Sequence, residues 1–216
     1  VMPLWLALIC TIAVMVILAY ATVFIIFRPL VARPPLILFM AAIGLSFLIQ
    51  GIGQSIWGTD AKGLNIGIPD NPIIIADIYI STFDLTFGVV AAILVAGLIL
   101  FFQKTRTGRA LRAVADDHEA ALSVGIPLLK AWAVTWVIAG IVATVAGIAW
   151  GSRLGVQFSL SLIALKALPV LILGGIDSIP GAILAGLVVG AGENLAEVFI
   201  GPYVGGGIQT FFPYLL

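Results

Sequence analysis

The feature that most constrains this chain is a set of long runs without a single charged residue. They cover residues 1–27, 34–59, 85–103 and 131–152. A helix needs about 20 apolar residues to cross about 30 Å of hydrocarbon, because it rises about 1.5 Å per residue. Each run is long enough, and none shows the two-residue alternation of a membrane β-barrel strand. The runs therefore predict transmembrane α-helices.

The overall composition supports this prediction and excludes most soluble classes. Hydrophobic residues make up 62% of the 216 residues and charged residues only 9%, whereas about 25% charged residues is typical of soluble domains. Ten Lys and Arg balance ten Asp and Glu, so no charge excess points to nucleic acid as a partner. The single cysteine, Cys10, excludes a disulfide framework and a cysteine metal site. We predict an integral membrane protein.

Two further apolar stretches are interrupted by charge or proline. They are 154–176, with Lys166 and Pro169, and 178–200, with Glu193 and Glu197. The last residues, from Ile208 to Leu216, have the composition of the start of a seventh helix. We therefore predict an all-α, polytopic transmembrane helical bundle of six to seven spans, forming a single domain over residues 1–216.

The placement of charge predicts how the chain is threaded, because positive residues in short loops face the cytoplasm. Arg28 and Arg33 follow the first run, and segment 104–130 carries five Lys or Arg. Segment 57–84 instead has four Asp and one Lys. We predict that 104–130 is cytoplasmic and 57–84 extracytoplasmic. The first helix then starts outside with nothing to carry it across, so we expect the chain to be a piece of a longer protein that lacks both ends.

The extracytoplasmic segment contains a turn signal, Pro69-Asp70-Asn71-Pro72, with β-rich sequence on each side. This pattern predicts a small hairpin outside the membrane. The hairpin could dock a partner or could merely cover the helix ends.

The centre of the predicted cytoplasmic segment has the signals of a separate short helix. Asp116 stands three residues before Glu119, which matches a capping box with Asp in place of Ser or Thr. Gly125 is placed as a helix C-cap residue, and Pro127 prevents continuation. We predict a helix from about residue 117 to 124, lying at the membrane surface and fixed at both ends.

A short pattern in this segment is more specific. Glu119-Ala120-Ala121 is followed after three residues by Gly125, and the preceding sequence is GRALRAVADDHEAA. This segment resembles the Glu-Ala-Ala loop of bacterial ABC importer permeases, and more closely the permeases of the branched-chain amino acid importer family. Further stretches agree with the same family: Arg28-Pro29-Leu30, Ile43-Gly44-Leu45-Ser46 and the run from Ala167 to Ala182.

The resemblance implies an ABC importer permease fold in a bacterial or archaeal inner membrane, with no cofactor. It implies import of branched-chain amino acids, or related small amides or urea. The implied partners are a homologous second permease, two cytoplasmic ATP-binding subunits and an extracytoplasmic substrate-binding protein. The family's N-terminal Asn-Phe-Ala-His-Gly type motif and basic C-terminal tail are absent, which agrees with the expected truncation. The implied ATPase-coupling residues are Gly108, Arg109, Asp117, Glu119, Ala120, Ala121 and Gly125.

Two features of the C-terminal part are candidates for the translocation pathway. One is a break in the apolar pattern at Gly174, Gly175, Asp177, Ser178 and Gly181. Irregular backbone at membrane depth often faces substrate in transporters, but the same residues could form an ordinary turn at the cytoplasmic surface.

The other candidate is Glu193, which lies in an apolar setting where an ionisable side chain is a functional candidate. The alternatives are a buried ion pair, for which Lys166 is the available partner, and a position close enough to the membrane interface to be hydrated.

Other function classes remain as rivals or are excluded. An ion-coupled secondary transporter or channel would use Glu193 and Lys166 for coupling and would need no capped cytoplasmic helix. A membrane-embedded enzyme would need several reactive polar residues at one depth, and the sequence offers no such set. No glycine-rich phosphate loop is present, so we expect ATP hydrolysis in a partner subunit and no enzyme activity in this chain.

Overall fold

The computed structural model describes residues 3–31, 33–67, 72–75, 78–175 and 178–215. Within these residues, five helices are long and apolar enough to cross a membrane: Leu4–Leu30, Leu36–Trp57, Thr82–Lys104, Leu128–Leu154 and Ile179–Phe199. This confirms the predicted class of polytopic helical membrane protein. The chain forms two compact units, Val1–Gln157 and Phe158–Leu216, which are described separately.

Among the described residues, the first unit contains six α-helices. They are α1 (Leu4–Ala21), α2 (Pro35–Trp57), α3 (Thr82–Lys104), α4 (Arg106–Asp116), α5 (His118–Ser123) and α6 (Leu128–Leu154). The winding changes at the end of α1, which continues as a π-helix over Thr22–Phe27 and a 3-10 turn over Arg28–Leu30.

The second unit begins with a broken helix where the sequence predicted an interrupted span. A 3-10 turn at Phe158–Leu160 leads into α7 (Ser161–Leu165), and α8 (Ala167–Gly174) follows after Lys166. Pro169 explains the break, because a proline is tolerated in the first turn of a helix but clashes with the carbonyl four residues earlier, here that of Leu165. The remaining helices are α9 (Ile179–Phe199), α10 (Gly201–Val204) and α11 (Ile208–Leu215).

A small hairpin is present in the segment predicted to be extracytoplasmic. Strands β1 (Pro72–Ile75) and β2 (Ile78–Ser81) pair antiparallel, with Ile74 opposite Tyr79. Strand β1 begins at Pro72, the last residue of the Pro-Asp-Asn-Pro signal, so both paired strands lie on the C-terminal side of Asn71. Residues 68–71 and 76–77 lie outside the described residues.

The core of the first unit is the contact between α1 and α6. Val23 is fully buried, and Thr144 is buried with its hydroxyl donating to the Gly140 carbonyl at 2.8 Å. A Cβ on Gly140 would lie 3.5 Å from the Met15 Cβ. Small residues therefore bring the two helices close together, as is common where lipid removes the hydrophobic drive for helix association.

Contacts at the helix ends agree with the predicted threading, which stays a prediction. The start of α3 and the end of α6 meet through an ion pair between Asp84 and Arg153, with Nη1 and Oδ1 3.0 Å apart. Lys62 and Val156 form an isolated antiparallel bridge nearby, with N–O distances of 3.0 and 2.7 Å. All four residues lie at or beside helix ends that the charge pattern predicts to be extracytoplasmic.

Candidate functional site

Helix α4 is an amphipathic helix with a defined start. The Thr105 hydroxyl accepts a hydrogen bond from the Gly108 N–H at 2.9 Å, which satisfies a donor of the first turn. Leu111 and Val114 are buried, whereas Arg109 is exposed. The sequence predicted helical spacing here but not a separate helix.

Gly108 allows α4 to fold back against the end of α3. A Cβ at this position would meet the Phe101 carbonyl oxygen and would lie 2.6 Å from the Phe102 Cα. Both are backbone atoms, so no side-chain rotation could relieve the overlap. The Arg112 guanidinium also donates a hydrogen bond to the Phe102 carbonyl, which connects the middle of α4 to the end of α3.

Helix α5 begins at a different cap from the one predicted. The Asp117 carboxylate accepts from the N–H groups of Glu119 and Ala120, at 2.9 and 3.0 Å. Asp116 is the last residue of α4, so its assignment to the capping box is wrong. The reason is that α4 runs through Asp116 and the chain turns extended only at Asp117, with φ −153° and ψ 112°.

The C-terminal end of α5 is fixed as predicted. Gly125 has φ +83°, a left-handed conformation that favours glycine. The Gly125 N–H donates to the Leu122 carbonyl and the Ile126 N–H donates to the Ala121 carbonyl, both at 3.0 Å. This pair of bonds is the Schellman motif.

The inner face of α5 is part of the packed core of the loop. Ala121 is 3% exposed and packs in one cluster with Leu111, Val114, Leu128 and Ala131. Its small side chain therefore packs within the chain. Glu119, Ala120 and Gly125 remain exposed.

Two apolar residues on the outer side of this loop were missed by sequence reasoning. Leu122 is 52% exposed and Val124 is 75% exposed. Consecutive helix residues point about 100° apart, so the burial of Ala121 turns Leu122 outward. That burial is visible only in the structure, so the sequence alone gave no signal for these two residues.

The two helices that flank the break, α8 and α9, pack side by side. Gly175 has φ +87°, and the Ser178 hydroxyl caps α9 by accepting from the Gly181 N–H at 3.1 Å. A Cβ on Gly174 would lie 2.5 Å from the Gly181 carbonyl oxygen. Gly174 and Gly181 therefore allow the backbones of α8 and α9 to approach each other closely. Asp177 lies outside the described residues.

Glu193 is paired with the predicted partner. The Lys166 Nζ lies 3.2 Å from both carboxylate oxygens of Glu193 and donates to the Gln209 carbonyl at 2.9 Å. The two charged side chains are 27% and 20% exposed. The cluster joins the start of α8, the middle of α9 and the start of α11.

Glu197 holds the same end of α11, and sequence reasoning assigned it no role. Its carboxylate accepts from the backbone N–H groups of Gly207 and Gln209, at 3.1 and 3.2 Å. One turn earlier on α9, the side-chain oxygen Oδ1 of Asn194 accepts a hydrogen bond from the side-chain amide of Gln209 at 3.3 Å. The spacing of Glu193 and Glu197 by four residues was the available signal, because it puts both on one face of α9.

A cavity of about 480 Å³ opens among the ends predicted to be extracytoplasmic. Its polar boundary includes Ser152 and Arg153 of α6 and Ser81 before α3. The remaining lining is Gly63, Leu64, Asn65, Ile66 and Phe83. Across the residues that the structure describes, no group of three His, Cys, Asp or Glu could hold a metal ion.

Long apolar helices and a doubly capped basic loop define a polytopic helical membrane protein. A family model described as the branched-chain amino acid transport system permease component matches residues 1–212. The chain belongs to this family, and it is a multi-pass protein of the inner membrane.

Individual relatives agree with the family assignment. The chain is 34% identical over 180 residues to the high-affinity branched-chain amino acid transport system permease protein BraD of Pseudomonas aeruginosa, covering 80% of this chain and 59% of BraD. It is 30% identical over 184 residues to the permease LivH of Escherichia coli K12, covering 81% of this chain and 58% of LivH.

A more distant relative transports a different substrate. The L-arabinose transport system permease protein AraH of E. coli K12 is 30% identical over 123 residues, covering 53% of this chain and 37% of AraH. The chain thus spans less than two thirds of the length of the curated relatives it matches. No solved structure matches it.

Proposed function

We propose that this chain is a membrane-spanning part of the permease subunit of an ATP-driven ABC importer. The cargo is a branched-chain amino acid, or a related small amide or urea, that an extracytoplasmic substrate-binding protein delivers. The observation that carries the proposal is the loop of α4 and α5, which is capped at each junction and packed on α6. A homologous second permease and two cytoplasmic ATP-binding subunits complete the importer.

The proposed coupling surface is the exposed side of this loop. It consists of Arg109, Glu119, Ala120, Leu122 and Val124, which the structure leaves exposed. The apolar side chains supply contact area, and the charges orient the partner and raise its association rate more than its affinity. Because Asp117 and Gly125 fix both ends of α5, a displacement of the ATPase is transmitted to α6 instead of being absorbed by the loop.

The cavity near Arg153 is the proposed point of arrival for cargo. It lies among ends predicted to be extracytoplasmic, and it is large enough for a small ligand, since ligand sites measure about 300–1,000 Å³.

An ion-coupled secondary carrier is the second candidate, favoured by the intramembrane charges. Glu193 lies in the apolar helix α9, Lys166 lies between the apolar helices α7 and α8, and both are partly accessible, as coupling residues would be. Their mutual pairing, with the Gln209 carbonyl as a further acceptor, favours a structural role over ion binding.

Uptake into proteoliposomes separates the two candidates. The permease is reconstituted with and without its ATP-binding subunits and binding protein, and labelled leucine, valine, urea and arabinose are offered. We expect uptake of leucine or valine only with ATP and all partners present. Uptake driven by a proton or sodium gradient without the ATPase would contradict the importer and support the carrier.

Two loop variants test the coupling surface in the same assay. Gly125→Leu forces a side chain into a left-handed backbone conformation, and Glu119→Lys reverses an exposed charge. We expect each to abolish uptake while the protein remains in the membrane at wild-type amount. Normal uptake by either variant would contradict the assignment of the loop.

A further inference from the structure

An apolar groove of about 250 Å³ lies at the end of the first unit where α1 meets α6. It is lined by Phe27, Leu38, Trp132, Thr135 and Trp136. The Thr135 hydroxyl donates to the Ala131 carbonyl at 3.1 Å, so its polar group is already bonded within the helix. The groove therefore offers an apolar surface with a rigid aromatic wall.

The winding of the first helix builds this wall. The π-helix over Thr22–Phe27 is wider than an α-helix, and such segments often occur at functional sites. Phe27 is 5% exposed, and its ring centroid lies 5.2 Å from that of Trp136 and 6.3 Å from that of Trp132. The π-helix thus ends with Phe27 held between the two indoles.

The sequence next to the groove is basic. Arg28 directly follows Phe27, Arg33 follows in the same connection, and Lys130 precedes Trp132 by two residues. All three side chains are exposed. Within the residues that the structure describes, none of the three has an ion-pair or side-chain hydrogen-bond partner. Three exposed basic residues therefore lie within a few residues of Phe27 or Trp132, which line the groove.

The depth of the groove fits the boundary between headgroups and acyl chains. Trp132 and Trp136 follow the start of α6 by four and eight residues, which corresponds to about 6 and 12 Å along the helix. Tryptophan is enriched at this level of the bilayer. The cytoplasmic leaflet carries anionic lipids, and basic pockets between transmembrane helices on that side bind their headgroups.

We propose that this groove is a binding site for one anionic phospholipid of the cytoplasmic leaflet. An acyl chain lies against Phe27, Trp132 and Trp136, and the phosphate is bound by Arg28 and Arg33. The charge complementarity selects this occupant over a zwitterionic lipid, and the apolar wall selects it over free phosphate. The inference concerns lipid binding and does not depend on the transported substrate.

Quenching of tryptophan by brominated acyl chains tests the site directly. The permease complex is reconstituted in phosphatidylcholine vesicles that contain either brominated phosphatidylglycerol or brominated phosphatidylcholine at equal mole fraction. Quenching at the groove is measured as the loss of tryptophan fluorescence that occurs in the wild type and is absent in a Trp132→Phe/Trp136→Phe variant. We expect half-maximal quenching at a lower mole fraction of brominated phosphatidylglycerol than of brominated phosphatidylcholine. The difference should be about fivefold for each basic residue that binds the phosphate.

Matched variants identify the residues responsible. Arg28→Gln/Arg33→Gln should remove the preference for phosphatidylglycerol, whereas Arg28→Lys/Arg33→Lys should keep it. Arg106→Gln/Arg109→Gln removes the same charge from α4 and should leave the preference unchanged. Equal quenching by both lipids in the wild type would overturn the proposal, as would a preference that survives Arg28→Gln/Arg33→Gln. Absence of quenching by either lipid would also overturn it, since protein would then cover the groove.

Discussion

At the scale of single residues, the loop depends on backbone positions that tolerate few substitutions. Gly108 touches backbone of α3, and Gly125 adopts a left-handed conformation. The sequence alone identified Gly125, because a glycine before Ile-Pro at the end of a helical pattern has a known conformational use. It gave no reason for Gly108 beyond the resemblance, because a close approach between two helices is visible only in three dimensions.

Replacing Gly108 tests the close approach. Gly108→Ala would force α4 away from α3, because the new Cβ meets the carbonyl of Phe101, and overpacking of this kind costs about 1–3 kcal/mol. We expect a lower midpoint of thermal unfolding in detergent and reduced uptake. Gly97→Ala is the control, since a Cβ there has no atom within 4 Å. Equal unfolding midpoints for the two variants would show that the contact does not form.

The capping residue of α5 gives a second test at this scale. Asp117→Ala removes the acceptor for two backbone N–H groups, and loss of such a cap costs about 0.5–2 kcal/mol. We expect a several-fold loss of ATP-dependent uptake that Asp117→Ser largely restores. Asp116→Ala should transport normally, because Asp116 ends α4 and caps nothing. A larger loss of uptake in Asp116→Ala than in Asp117→Ala would contradict this, and would show that Asp116 is the cap, as the sequence pattern indicated.

At the scale of elements, the second unit is held by charged side chains that connect separate helices. Lys166 follows α7, pairs with Glu193 of α9 and bonds to the start of α11, which Glu197 also holds. The sequence offered Lys166 as one possible partner for Glu193 but could not decide, because the two are 27 residues apart. Only the fold of α8 against α9 brings them together.

A double-mutant cycle measures this connection. Lys166→Met and Glu193→Gln each leave a charge without its partner, whereas the combined variant leaves none. We expect the two single losses in thermal stability to exceed the loss in the double variant, with an interaction energy of about 0.5–3 kcal/mol. Strictly additive losses would mean that the ion pair contributes nothing. A Glu193→Gln variant with wild-type uptake would show that the pair is structural and lies off the pathway.

At the scale of the whole molecule, hydropathy and charge were sufficient for the class of fold. The uncharged runs predicted helices that the structure contains at Leu4–Leu30, Leu36–Trp57, Thr82–Lys104 and Leu128–Leu154. The hairpin lies in the segment where it was predicted, with both strands after Asn71. The burial of Ala121 could not be predicted, because sequence does not show which side of a short helix is covered.

The central claim is that the exposed side of α5 contacts a cytoplasmic ATPase. Val124, at 75% exposure, is the position that reports on it most directly. The native Cys10 is replaced by serine, and a single cysteine is introduced as Val124→Cys or, in the predicted extracytoplasmic hairpin, as Ile73→Cys. A thiol-reactive photo-crosslinker is then attached in membranes that contain the complete transporter.

We expect Val124→Cys to crosslink to the ATP-binding subunit, with loss of ATP-driven uptake, whereas Ile73→Cys should yield no such product. A crosslink to the ATPase from Ile73→Cys, or none from Val124→Cys in a complex that still transports, would contradict the central claim.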